Sequence, residues 1–289
     1  MRTLLALACA ATLTGALSGC IIVAGPPGSD YTVHTPFSGK TVEGDGVATR
    51  DVRSVAALTG LNVGGSMIVE VRVGAAPSLV VEGDSNLVRY VQTEVRGSTL
   101  HIGTEGRLRS TTPLKVIYTT PRLTELRAGG SGNVTVRDLR GDPLEVRQGG
   151  SGVTRLYGDV ADLEASVAGS GKIEATELRA GSARMGVSGS GRLSVGQVRG
   201  DYARASVSGS GRVEAGGAVQ RLNVSVSGSG SVDLVNLTSE QGELSTSGSG
   251  GISATVRQSV VAQASGSGPI RVYGQPAQRT ISGRGVQVM

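Results

Sequence analysis

The sequence predicts an all-β chain folded as a right-handed parallel β-solenoid with rungs of about 20 residues. Three observations predict it. From residue 130 onward Gly-Ser-Gly recurs, with its Ser at 131, 151, 170, 190, 210, 229, 249 and 267, at intervals of 20, 19, 20, 20, 19, 20 and 18. A spacing this regular marks a stacked architecture in which each unit buries its apolar face only against its neighbours. Apolar and polar residues alternate on both sides of each triplet, the period of a strand with one buried face. The chain holds 46 Gly but only 6 Tyr, 1 Phe and no Trp among 289 residues. Such a composition suits a narrow aliphatic core.

Residues 1–19 read as a secretory signal: one basic residue, Arg2, an apolar run over residues 4–17, and small residues before Cys20. The run is too short to span a bilayer. Leu17-Ser18-Gly19-Cys20 resembles the lipobox of bacterial lipoproteins, which implies cleavage before Cys20 and acylation of its thiol. Acyl chains buried in the bilayer contribute about 0.8 kcal/mol per methylene, and more than one chain anchors stably. Ile21 and Ile22 resemble outer-membrane sorting residues.

Residues 20–49 carry Gly25-Pro26-Pro27-Gly28, many Ser and Thr, and no apolar periodicity. They are expected to form a flexible tether with a reach of roughly 30 Å. Residues 50–289 are the expected solenoid. Within it, residues 50–129 are rich in strand patterns but lack the triplet, and are read as irregular rungs of the same coil rather than a separate cap. Residues 130–289 are the regular repeats. Before the triplets the inward set is Leu163, Ala165, Val167; Ala183, Met185, Val187; Ala203, Ala205, Val207; and Leu222, Val224, Val226. After them it is Val134 and Val136, Ile173 and Ala175, Leu193 and Val195, Val213 and Ala215, Val232 and Leu234. Each unit thus holds at least two short strands joined by a glycine corner, where Gly reaches positive φ without a Cβ clash. Pro276, Arg279 and Arg284 near the last strands are expected to blunt the terminal edge.

Composition also excludes function classes. Both Cys, Cys9 and Cys20, precede the body of the chain, which therefore has no disulfide, thiolate metal site or Cys nucleophile. With His34 and His101 as the only His, no imidazole-rich metal site is expected. Without Arg2 the 28 basic side chains fall to 27 against 23 acidic ones. The resulting formal charge of +4 is too small and dispersed for nucleic-acid binding. No cofactor is expected.

Leu61-Asn62-Val63-Gly64-Gly65, the run from Met67 to Val71, Val80-Val81-Glu82-Gly83-Asp84, Pro113-Leu114-Lys115-Val116 and Leu123-Thr124-Glu125-Leu126, followed by the Gly-Ser-Gly rungs, resemble the head GIN domain family. That resemblance spans residues 50–289 and implies a β-helical auto-transporter adhesin head, often a lipoprotein, exposed at the bacterial surface. It brings no catalytic residues.

Ser131, Ser151, Ser170, Ser190, Ser210, Ser229, Ser249 and Ser267 are read as a structural turn ladder, since a Ser without a partnered base is no nucleophile. Lys172, Arg192 and Arg212 follow the triplet on successive units. They are a candidate strip for an anionic ligand such as an envelope glycan, or simply the solvated face of a sheet. Glu174 and Glu214 raise the alternative of a polysaccharide lyase or hydrolase, because neighbouring rungs bring carboxylates within about 10 Å. The scattered aromatic residues offer no sugar platform for that chemistry. The sequence therefore points to a lipid-anchored envelope head that binds an envelope glycan or surface protein, or serves as a structural element, with no catalytic residues and no metal. Cys20→Ser is expected to move the protein from the membrane to the soluble fraction on cell fractionation; continued membrane retention would contradict lipid anchoring.

Overall fold

The computed structural model describes residues 41–289. The signal segment, Cys20 and residues 20–40 of the expected tether lie outside them. The described residues form a parallel β-solenoid, with strand following strand and one short 3₁₀ turn, Val88–Tyr90, among them.

In the regular part each rung is one nearly continuous ribbon: Val153–Gly169, Lys172–Gly189, Arg192–Gly209, Arg212–Gly228, Ser231–Gly248 and Gly251–Ala264. Every ribbon pairs in parallel with the next. Register slips once or twice per rung, as between Val195 and Val198, and these bulges bend the ribbon into three walls. One wall precedes the triplet, one follows it, and the third lies between them, for example over residues 177–180. The apolar sets that the alternation assigns to the first two walls are buried throughout. The third wall adds Leu178, Ala180, Val198, Val219 and Leu237 to the same core.

Stacking turns each inward position into a column. Leu163, Ala183, Ala203 and Leu222 are in register, as are Ala165, Met185, Ala205 and Val224. Met185 thus lies between two Ala, so a long side chain is accommodated by short neighbours, as close packing requires. Burying each Val, Leu or Met contributes about 1.5–3 kcal/mol. Where polar residues occupy the column before the triplet, the corner satisfies them. Gln148 accepts from Thr154 Oγ1 at 2.6 Å and donates to the Gly149 carbonyl; Thr246 donates to the Gly250 carbonyl at 3.0 Å.

The two glycines of each triplet answer different constraints. Gly209 sits at φ +116°, and a Cβ there would lie 2.7 Å from the Gly189 carbonyl oxygen one rung away. Gly211 has no such φ, but its Cβ would fall 2.3 Å from Val187 Cγ1 and 2.7 Å from the Gly191 oxygen. The backbone of one corner therefore rests on the backbone of the last.

The N-terminal part departs from simple winding. Gly60–Val63 and Ile68–Val73 form a rung, but the chain does not continue from it directly into the regular repeats. It first makes an outer rung from Thr99–Thr104 and Lys115–Thr120, parallel to the first on one side. It then crosses to Glu125–Ala128 and Asn133–Arg140, which pair with the other side. The outer rung is covered by antiparallel strands: Val91–Arg96 on Thr99–Thr104, Ser78–Asp84 on Lys115–Thr120, and Ala48–Arg53 on Ser78–Asp84. Residues 50–129 thus combine two rungs, stacked out of chain order, with an antiparallel cap that protects the sheet end.

The tether expected to extend to residue 49 is corrected in the same region. Thr41–Glu43 pairs with Arg107–Arg109, and Ala48–Arg53 is a strand. Both are polar, and Val52 is 72% exposed, so edge pairing rather than a buried face makes them strands. Side chains fasten the cap. Asp84, fully buried, accepts from the backbone N–H groups of Gly46, Thr111 and Thr112 at 2.8–3.2 Å. Arg53 donates to the Val88 and Val91 carbonyls and to Thr93 Oγ1.

Gly211→Ala should destabilise the fold by about 1–3 kcal/mol through overpacking, and Gly209→Val, strained in φ as well, should cost more than Arg204→Ala. Ser210→Ala should stay within about 0.5 kcal/mol of the parent. Equal urea midpoints for the Gly211 and Ser210 variants would contradict the corner packing.

Candidate functional site

Parallel stacking also converts each outward position into a column, with steps of about 4.8 Å. The Gly-Ser-Gly serines form one of these along the corner, and all eight are exposed. Their rung-to-rung bonds run through the main chain: Ser190 N–H donates to the Gly169 carbonyl at 3.0 Å, Ser210 to Gly189 at 2.9 Å, and Ser229 to Gly209 at 2.9 Å. Ser131, Ser151, Ser170 and Ser249 do the same, whereas beside Ser267 the bond to the previous corner comes from Gly268.

Lys172, Arg192 and Arg212 are directly in register on the wall after the triplet, between Val153 on one side and Ser231 on the other. All three are exposed. Arg212 approaches Glu214 at 3.7 Å; among the described residues no ion pair involves Lys172 or Arg192. Two residues along, Glu174, Ser194 and Glu214 share a column. The two carboxylates are thus two rung steps apart, and Glu174 is held by Arg155 at 2.9 Å. On the third wall Arg179 grips Asp159 with two bonds, 2.5 and 3.0 Å, a contact that holds the Asp159 carboxyl below its usual range. His101 lies on a strand opposite Glu94, and among the described residues no three His, Cys, Asp or Glu gather as a metal site.

The most shaped surface lies on the wall before the triplet. Two outward columns run side by side there: Tyr202, Arg221, Gln241 and Ser259, and, two residues along, Glu164, Arg184, Arg204, Asn223, Glu243 and Val261; before Tyr202 a register slip leaves Ser182, the partner of Asp162, buried. Between them runs a groove of about 480 Å³, floored by Ala203, Leu222 and Gly242. Tyr202 closes one end. Its hydroxyl reaches Asp162 Oδ1, two rungs away, at 3.3 Å, and the Arg184 guanidinium lies 4.7 Å from its ring centre. Burial pushes the Tyr202 phenol up, Arg184 opposes this, and Asp162 adds to it. Beyond the Tyr202–Arg184 stack a broader depression of about 790 Å³ continues past Asp162, Glu164 and Asp201. The ring and cation thus divide a basic groove from an acidic one.

The family described as "Putative auto-transporter adhesin, head GIN domain" matches residues 57–200 and 175–276. The chain belongs to this family. A structure solved from Parabacteroides distasonis, described as a "putative lipid binding protein", is 25% identical and superimposes with a TM-score of 0.66 over 86% of this chain and 100% of its own. A "putative adhesin" from the same organism is 23% identical with a TM-score of 0.68, over 86% and 100% of the two chains. A "putative adhesin" from Parabacteroides merdae is 19% identical with a TM-score of 0.67, over 86% and 98%. No curated protein matches the chain. The family's adhesin description points to the bacterial surface or envelope and fits a non-catalytic binding role.

Sequence reasoning missed the Tyr202 groove because it treated the aromatic residues as scattered. The signal was spacing at the rung period: Tyr202 to Arg221 is 19 residues and Arg184 to Arg204 is 20. In a double-mutant cycle by urea denaturation, Arg184→Ala and Tyr202→Ala are expected to couple by about 0.5–1 kcal/mol; strictly additive losses would contradict the stacked pair.

Proposed function

We propose that this head GIN domain is exported, lipidated on Cys20 and displayed from the outer membrane as a binding head that carries no catalysis. The lipobox, the apolar run before it, and Ile21 and Ile22 support the anchor and its sorting. The observation that carries the binding role is the family's adhesin description joined to the wall geometry: outward side chains repeat in columns, which offers an extended partner many equivalent contacts. The partner is an envelope glycan or a surface protein. The Lys172–Arg192–Arg212 strip supplies a diffuse anionic contact, since three stacked cations with one carboxylate at 3.7 Å gain from a bound anion.

The relative described as lipid-binding does not lead this reading to an interior lipid site. The core columns are filled with side chains close to zero exposure, and the grooves are on the surface. Catalysis at Glu174 and Glu214 is disfavoured by the intervening Ser194 rung and by the arginines that occupy both carboxylates.

Binding of the purified mature chain to envelope extracts and to a panel of envelope glycans tests the reading. Saturable binding without turnover of any glycan is expected. Glycan cleavage that is lost in Glu174→Gln or Glu214→Gln with folding intact would overturn it in favour of an enzyme, and no binding to either material would leave only a structural spacer.

A further inference from the structure

The Lys172 strip is flat, but the groove beside Tyr202 has walls, a floor and an end. Its cations are unequal in their partners. Arg184 stacks on Tyr202, whereas among the described residues no ion pair involves Arg204 or Arg221. The lone carboxylate of the lining, Glu243, accepts from Asn223 Nδ2 at 2.8 Å. Three guanidinium groups thus face one already engaged carboxylate across about 480 Å³. Arginine forks recognise planar oxyanions with paired, charge-assisted hydrogen bonds.

The shape narrows the class further. The groove follows the stacking axis across three rung steps, about 14 Å. Gln241, Asn223 and Ser259 offer neutral polar groups suited to hydroxyls, while the Tyr202 ring and Val261, 39% exposed, offer apolar surface near the ends. A peptide bound as an added strand would need a free strand edge to pair with. None is present in this groove, because the residues forming it are in ladder register with the rungs on both sides.

We propose that the groove bounded by Tyr202, Arg204, Arg221 and Gln241 is a binding site for a short oligosaccharide bearing oxyanions, carboxylate or phosphate. The site rests on the binding-head reading and gives it a location. Arg204 and Arg221 hold the oxyanions and Tyr202 closes the end of the sugar chain.

The test uses the mature chain in detergent and isothermal titration with three probes: a galacturonate tetramer, its fully methyl-esterified form, and a phosphorylated glucosamine disaccharide. Binding of at least one acidic probe, and not of the ester, is expected. In Arg204→Ala/Arg221→Ala the affinity should fall by about tenfold or more, as for loss of charge-assisted bonds. In Arg140→Ala/Arg199→Ala/Arg271→Ala, which removes more charge at exposed positions outside the groove lining, it should fall less than about threefold. Unchanged circular dichroism and melting confirm that both variants fold. Whichever acidic probe binds distinguishes carboxylate from phosphate sources. Failure of both acidic probes, equal binding of the ester, or equal losses in the two variants would overturn the site. If the parent still binds envelope extract, only the groove fails; if it binds neither probe nor extract, the binding-head reading fails with it.

Discussion

Everything in this molecule depends on how closely one corner rests on the next. Parallel strands sit about 4.8 Å apart, and at the Gly-Ser-Gly corner that distance is spanned by backbone against backbone. A Cβ at Gly209 or Gly211 would meet a carbonyl oxygen of the neighbouring corner at 2.7 Å. The triplet is therefore what lets the rungs keep a constant spacing around a sharp bend. Once spacing and register are constant, inward positions stack into columns of Val, Leu, Ala and Met, and aliphatic side chains close the core of the regular rungs, with the one buried ring, Tyr118, lying in the N-terminal part.

The same constraint shapes the outer surface. A single outward position becomes a file of side chains along the rod, so a few residues at the rung period suffice to build a site. On most of the wall before the triplet those files are small: Ser166, Gly186, Ser206, Ser225 and Ser245 follow one another in register. Only near the opposite margin do large residues enter, with Tyr202 and Arg221 in one file beside Arg184 and Arg204 in the next. Relief appears where the files change character, and the groove is such a place. A protein that exposes recognition groups on a rigid rod suits the adhesin description of its family.

Much of the coil was legible in the sequence because the triplet marks each corner and strict alternation marks two walls. The third wall was not, since bulges near Val195, Glu214 and Leu234 interrupt the period-two pattern just where that wall begins. The cap was hidden for a different reason. Ala48–Arg53 pairs along an edge and buries no apolar face, so hydropathy carries no trace of it. The out-of-order stacking of Thr99–Thr104 beyond Gly60–Val63 is likewise silent, because both strands show the same alternation whichever neighbour they pair with. At the surface, the register of Lys172, Arg192 and Arg212 followed from their spacing, whereas the groove required columns on a wall where Tyr202 is the one aromatic side chain of the lining.

The central claim, a single coil with its corners in file, is tested most directly by pulsed electron spin resonance on pairs of spin labels along the ridge. With Cys9 and Cys20 replaced by Ser, cysteines introduced at Ser131 and each of Ser190, Ser229 and Ser249 are the only labelled sites. Backbone separations of about 14, 24 and 29 Å, rising in step with the number of rungs, are the predicted result. Distances that do not grow with rung number would contradict the coil.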